Sequence, residues 1–216
     1  MNPPRDTAAF VAAGIALGFS AFCERSALAE DAPPHTEQTS VPAPSQHAYV
    51  QYGVALAAEA VAFAGDICGR YVNCVFGDGG GLVARVGWRP SDQLYLGGAY
   101  EMTKQDPAQL YRLGILQQLR AEGRRYFPTG QKVMPFVLLG AGLGAYGNEW
   151  SVDTWGPTAT IGGGAEIELG GGPVLELSLA YRPMYFRAWN ITGTPFDMGF
   201  AHFVSIEVSL EAKDRL

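Results

Sequence analysis

The stretch Pro173-Val-Leu-Glu-Leu-Ser-Leu-Ala-Tyr181 alternates without a break. Leu175, Leu177, Leu179 and Tyr181 fall on one side of an extended chain, and Val174, Glu176, Ser178 and Ala180 on the other. Successive side chains of a strand point to opposite faces, so the stretch predicts a β-strand with one apolar and one polar face. The same alternation returns between Ala48 and Glu211, and its polar face is also the small one: Gly, Ala, Ser and Thr, with isolated Glu and Arg among them. A small, glycine-rich face suits the crowded inside of a narrow barrel. The aliphatic and aromatic face is then left pointing outward, at lipid.

Eight runs carry the pattern, at about 48–64, 81–89, 93–103, 109–120, 133–146, 158–169, 173–186 and 201–211. In the first, Val50, Tyr52, Val54 and Leu56 oppose Gln51, Gly53, Ala55, Ala57 and Glu59; in the last, Val204, Ile206, Val208 and Leu210 oppose Ser205, Glu207, Ser209 and Glu211. Pro and Asp in Arg89-Pro-Ser-Asp-Gln93 and the run Gly170-Gly-Gly-Pro173 predict tight turns. Residues 121–132, with Arg124-Arg125, are expected to form a basic turn. Long loops fall at 65–80, 147–157 and 187–200. Each run can cross a bilayer when tilted, which takes about 9–11 residues, and none downstream of the leader reaches the roughly 18 apolar residues of a membrane helix. The expected fold is all-β: an eight-stranded antiparallel up-and-down transmembrane β-barrel over 48–216.

The inward faces also carry charge: Glu59, Arg85, Arg89, Glu101, Arg112, Arg120, Glu166, Glu168, Glu176, Arg182 and Glu207. The interior of an eight-stranded barrel is just wide enough for side chains to fill it, so these groups must pair with one another. A salt-bridged plug is the expectation, with a narrow gated ion path as its rival. Trp88, Tyr100, Tyr111 and Tyr181 are assigned to aromatic girdles at the membrane interfaces. The Trp-bearing loops are the expected place for a surface partner.

Residues 1–29 have the form of a secretory signal: Arg5, an apolar core from Ala8 to Phe22, and a cleavage site at Ala27-Leu28-Ala29. Residues 30–47, rich in Pro, Thr, Ser, Gln and acids, are expected to be a disordered periplasmic lead-in. Cleavage would remove Cys23 and leave Cys68 and Cys74. In an exported chain that pair predicts a disulfide, a local brace of about 2 kcal/mol on the chain-entropy model. No His lies near the pair and its spacing is not C-x-x-C, so no metal site is predicted there, and no motif calls for a cofactor. The net charge of −6 argues against a nucleic-acid partner. Gly142-Leu-Gly-Ala-Tyr-Gly147 matches G-x-G-x-x-G in letters, but no helical pattern follows it, so its glycines are assigned to packing within a strand.

Signal, strand count, placed aromatics and charges on the glycine face together make the chain resemble the small OmpA/OmpX-type outer-membrane barrels of Gram-negative bacteria. The resemblance covers about 48–211. It implies an outer-membrane location, contact with outer-membrane lipid and lipopolysaccharide, and handling by the barrel assembly machinery. Members of that group typically end on an aromatic residue, whereas this chain ends Glu211-Ala-Lys-Asp-Arg-Leu216. A non-enzymatic, porin-like envelope or surface protein is the expected function. Two alternatives are kept. A soluble lipocalin-like binding barrel would need the aliphatic face inside. A lipid A-modifying enzyme would need a His with a nearby Ser and carboxylate facing lipid. Of His35, His47 and His202, the first two sit in or beside the lead-in, and Ser205 falls on the opposite face from His202.

Overall fold

The computed structural model describes residues 48–65, 67–68, 74–105, 111–129, 132–169, 172–191 and 193–215. The expected leader with Ala27 and Ala29, and the lead-in 30–47, lie outside the described residues. The strands are β1 (Tyr49–Phe63), β2 (Gly79–Ser91), β3 (Leu94–Gln105), β4 (Gly114–Tyr126), β5 (Val133–Asn148), β6 (Thr154–Glu168), β7 (Pro173–Phe186), β8 (Trp189–Ile191), β9 (Thr194–Phe196) and β10 (Gly199–Arg215). Eight of them close a barrel in which chain neighbours pair antiparallel, β7 pairs with β10, and β10 returns to β1. β8 and β9 form a separate small hairpin within the last long loop. Among the described residues no helix is long and apolar enough to cross a membrane.

The alternation read from the sequence sets the two faces. Leu56, Leu82, Val86, Leu119, Leu139, Ile161, Leu177 and Ile206 are exposed on the outer wall, whereas Glu59, Arg85, Glu101, Arg120, Glu176 and Glu207 are buried inside it. The lipocalin-like alternative required the reverse, and the barrel does not have it.

One strand is displaced from its expected position. The alternation predicts the fourth strand at about 109–120 with a basic turn after it, but β4 begins at Gly114 and continues through Tyr126. The alternation in fact persists: Glu122, Arg124 and Tyr126 are buried, while Ala121 and Arg125 face out. Ladder pairs Glu122↔Gly140 and Tyr126↔Phe136 hold this half of the strand to β5. The charge density at 120–125 suggests solvent, but three of its four charged residues, Arg120, Glu122 and Arg124, belong to the barrel interior. β10 is likewise longer than expected at both ends.

Short connections at 92–93, 127–132 and 169–172 mark one end of the barrel, the turn end. The connections after β1, β3, β5 and β7 mark the loop end. From turn end to loop end the interior is layered: an aromatic group (Tyr95, Tyr126, Phe136), a charged middle, and an apolar cap. Tyr95 lies flat over the wall because its neighbours there have no side chain; a Cβ on Gly87 would sit 2.5 Å from its ring.

Candidate functional site

Seven of the eight barrel strands, all but β5, contribute one to three inward Glu or Arg side chains to the charged middle, at even spacings along each strand. Among the described residues, Arg85, Arg89, Arg120, Arg124 and Arg182 are buried there with Glu59, Glu101, Glu122, Glu166, Glu176, Glu207 and Glu211. Glu207 is the hub. It accepts from Arg85 and Arg182, and from Arg120 at 3.2 Å. Glu101 bridges Arg120 and Arg182, the latter at 2.8 Å. Glu122 accepts from Arg120 at 2.5 Å and from Arg85 at 3.1 Å, and Arg124 reaches Glu176 at 2.5 Å.

Toward the turn end, Arg89 meets Glu166 at 3.0 Å, Lys213 joins the same carboxylate, and Gln51 donates to Glu211 at 2.6 Å. Arg89 also stacks over the Tyr126 ring, 4.0 Å from its centroid. Toward the loop end, Glu59 accepts from Gln105 at 2.8 Å and Thr103 at 3.2 Å, with Arg182 at 3.7 Å. Buried charges are tolerated where each has a partner and further hydrogen bonds, and this ring of alternating signs supplies both.

Two of the residues assigned to the interior are elsewhere. Arg112 precedes β4, its side chain is 83% exposed, and it pairs with Glu149 of the β5–β6 loop at 2.5 Å. The inward face expected for it does not exist, because β4 begins only at Gly114. Glu168 ends β6 at the turn-end mouth, where the wall no longer encloses it; it is exposed and lies 3.8 Å from Lys213. Glu122 and Arg124 are buried in the charged middle although a turn is expected there, and Glu211, expected on the polar face of the last run, joins them. Extending the two-residue register through 121–126 would have found the first two. Arg112→Ala is therefore expected to change the unfolding free energy by less than about 0.5 kcal/mol, as an exposed pair does, in denaturant titration of detergent-held protein.

The cap closes the loop end. Cys68 and Cys74 form a disulfide packed against Ile67, Val75, Phe76, Tyr146, Phe186, Trp189 and Phe203. Phe76 stands at its centre, 4.9 Å from the rings of both Tyr146 and Phe186 and 5.7 Å from Phe203. The Tyr146 hydroxyl donates to the Val75 carbonyl at 2.7 Å, tying the cysteine-bearing loop to β5. Tyr111, expected in a girdle, instead packs on this cap against Tyr146, with its hydroxyl bonded to Asp153. Burial and that carboxylate raise its pKa above the ordinary tyrosine value. It stands before β4 rather than on it, so the outward face assigned to it does not exist.

Trp88 and Tyr181 are exposed on the outer wall toward the turn end and the loop end respectively. Tyr100 is outward too, but mid-strand, where its hydroxyl donates to Gln117 at 2.9 Å. His202 shares a 2.5 Å hydrogen bond with the Tyr181 hydroxyl and stacks among Phe63, Tyr181 and Phe200. Ser205 is fully buried inside the wall. The Ser–His pair that a hydrolytic alternative needs is not formed by these two residues. Among the described residues no cluster suited to a metal ion is present.

No family model matches the sequence, and no curated protein matches it. Solved structures do. The barrel is similar to Neisserial surface protein A, with a TM-score of 0.50 and 17% identity over 77% of this chain and 97% of that one. The likeness is one of fold. Outer membrane protein OprG from Pseudomonas aeruginosa follows at TM-score 0.46 and 10% identity, covering 79% of this chain and 97% of its own. Outer membrane protein AlkL, determined in lipid bilayers, gives 0.47 and 14% over 88% and 98%.

Proposed function

We propose that this chain is an outer-membrane β-barrel protein that acts in envelope structure or surface interaction through its loop end, with an interior that is a plug and not a pore. The observation that carries this is the inversion of the two faces around a closed wall. An aliphatic exterior around an interior of ion-paired Glu and Arg side chains is stable where the outside solvent is hydrocarbon. Exposed apolar groups continue into the loops, where Trp150 is 75% exposed, and this is where a partner would meet the protein. The barrel's lipid contacts, lipopolysaccharide among them, and its delivery by the assembly machinery belong to the same proposal.

Membrane fractionation and gel migration with and without boiling test it. The expected result is recovery in the outer-membrane fraction and a band that shifts on boiling, because the closed barrel resists detergent until heated. Recovery as a soluble periplasmic protein without detergent would sink the proposal. In planar bilayers the native protein is expected to show no steady conductance, since the charged middle and the cap both obstruct the axis. An ohmic, always-open channel would replace the plug with a pore.

A further inference from the structure

The outer wall carries a groove of about 300 Å³ near the loop end, on the face formed by β3 to β6. Its floor follows two rows of the ladder. Leu119 and Leu143 pair across β4 and β5, with Tyr100 beside Leu119 on β3. One row nearer the loops, Gln117, Ala145 and Trp155 pair across β4, β5 and β6. Ala145 is the small member between two larger ones, and it opens the groove. Leu119 and Leu143 each lie five residues inside their strands, which puts the lower row roughly 16 Å below the loop end at about 3.3 Å per residue.

The polar groups are graded along the same line. At the top, the Arg187 guanidinium lies over the Trp155 ring, 3.9 Å from its centroid. Among the described residues Arg187 makes no ion pair. Below it, the Tyr100 hydroxyl occupies the Gln117 carbonyl oxygen at 2.9 Å, so the amide nitrogen is the end of Gln117 left to donate. The rest is apolar. A cation above, an amide donor one step down and an aliphatic trough beneath match a phosphorylated lipid in order: phosphate, acyl ester, hydrocarbon chain. A guanidinium over an aromatic ring keeps N–H donors for such a phosphate, and Trp favours this depth in a bilayer.

We infer that this groove is a seat for one acyl chain of a phosphate-bearing lipid of the leaflet at the loop end, anchored by Arg187. The inference rests on the membrane-barrel proposal above. Native mass spectrometry of the detergent-purified folded protein tests it, with dimyristoylphosphatidylglycerol and dimyristoylglycerol as probes and glycerol phosphate as a competitor. The native protein is expected to retain one phosphatidylglycerol about tenfold more tightly than the uncharged lipid, the size of one charge-assisted contact. Arg187→Ala is expected to erase that preference. Ala145→Phe fills the trough from an outward-facing position and is expected to weaken both lipids about tenfold. Equal retention of the two lipids by the native protein would overturn the seat, as would native-like binding by either variant. So would displacement of the lipid by equimolar glycerol phosphate, which would make the site one for a free anion. The boiling shift, measured on the same samples, reports separately on the barrel itself.

Discussion

Glu207→Ala is expected to destabilise the barrel by about 3–5 kcal/mol, the range for removing one partner of a buried ion pair. The lost carboxylate serves Arg85, Arg120 and Arg182 at once. The three guanidiniums retain Glu122 and Glu101 between them but lose the one carboxylate that all three share. No solvent reaches them, since all three arginines are buried. Urea or guanidinium unfolding in detergent micelles would read the change as a lower midpoint. A loss under about 1 kcal/mol would mean that the interior is wet enough to screen the cluster, and the plug would have to be abandoned. Glu207→Gln keeps the shape and two hydrogen-bonding groups, so it is expected to fall between the two.

The second large effect is expected at a residue that sequence patterning gives no reason to notice. Phe76 lies in the loop after β1, outside any strand, yet it is buried against Tyr146, Phe186, Trp189 and Phe203. Phe76→Ala removes the centre of the cap and is expected to cost about 3–5 kcal/mol, as other buried Phe truncations do. Hydrogen exchange would locate the loss. Amides of β8, β9 and residues 74–78 should exchange faster, while those in the middle of β4 and β5 stay protected. Uniform acceleration throughout the wall would show that the cap and the barrel are one unit, against the layered interior described above.

The strand faces were legible because the pattern has a period of two and only two outcomes per residue. Glu59, Arg85, Glu101, Arg120, Glu166, Glu176, Arg182 and Glu207 could therefore be sent inward from the letters alone. Errors arose where the period had to be started or stopped. Alternation alone starts the fourth strand before Arg112, and the adjacent charges of Glu122, Arg124 and Arg125 read as an exposed turn. Glu168 shows a different limit: its parity is inward, but parity does not say where the wall ends. Of the cap, only the Cys68–Cys74 disulfide was legible. The cap joins Ile67, Phe76, Tyr146, Trp189 and Phe203 from distant loops and strand ends, and no local spacing records that association.

β10 does two things that separate strands could have shared. It seals the wall by pairing with β1 from Tyr49↔Arg215 onward, and it brings Glu207 and Glu211 to the arginines of the other strands. A chain halted before Gly199 therefore has two raw sheet edges, and Arg85, Arg120 and Arg182 lack the carboxylate that joins them, at the same moment. Neither defect can be repaired early, because both cures lie on the last strand to be made. Closure of the wall and completion of the ion-pair cluster are then a single event in time.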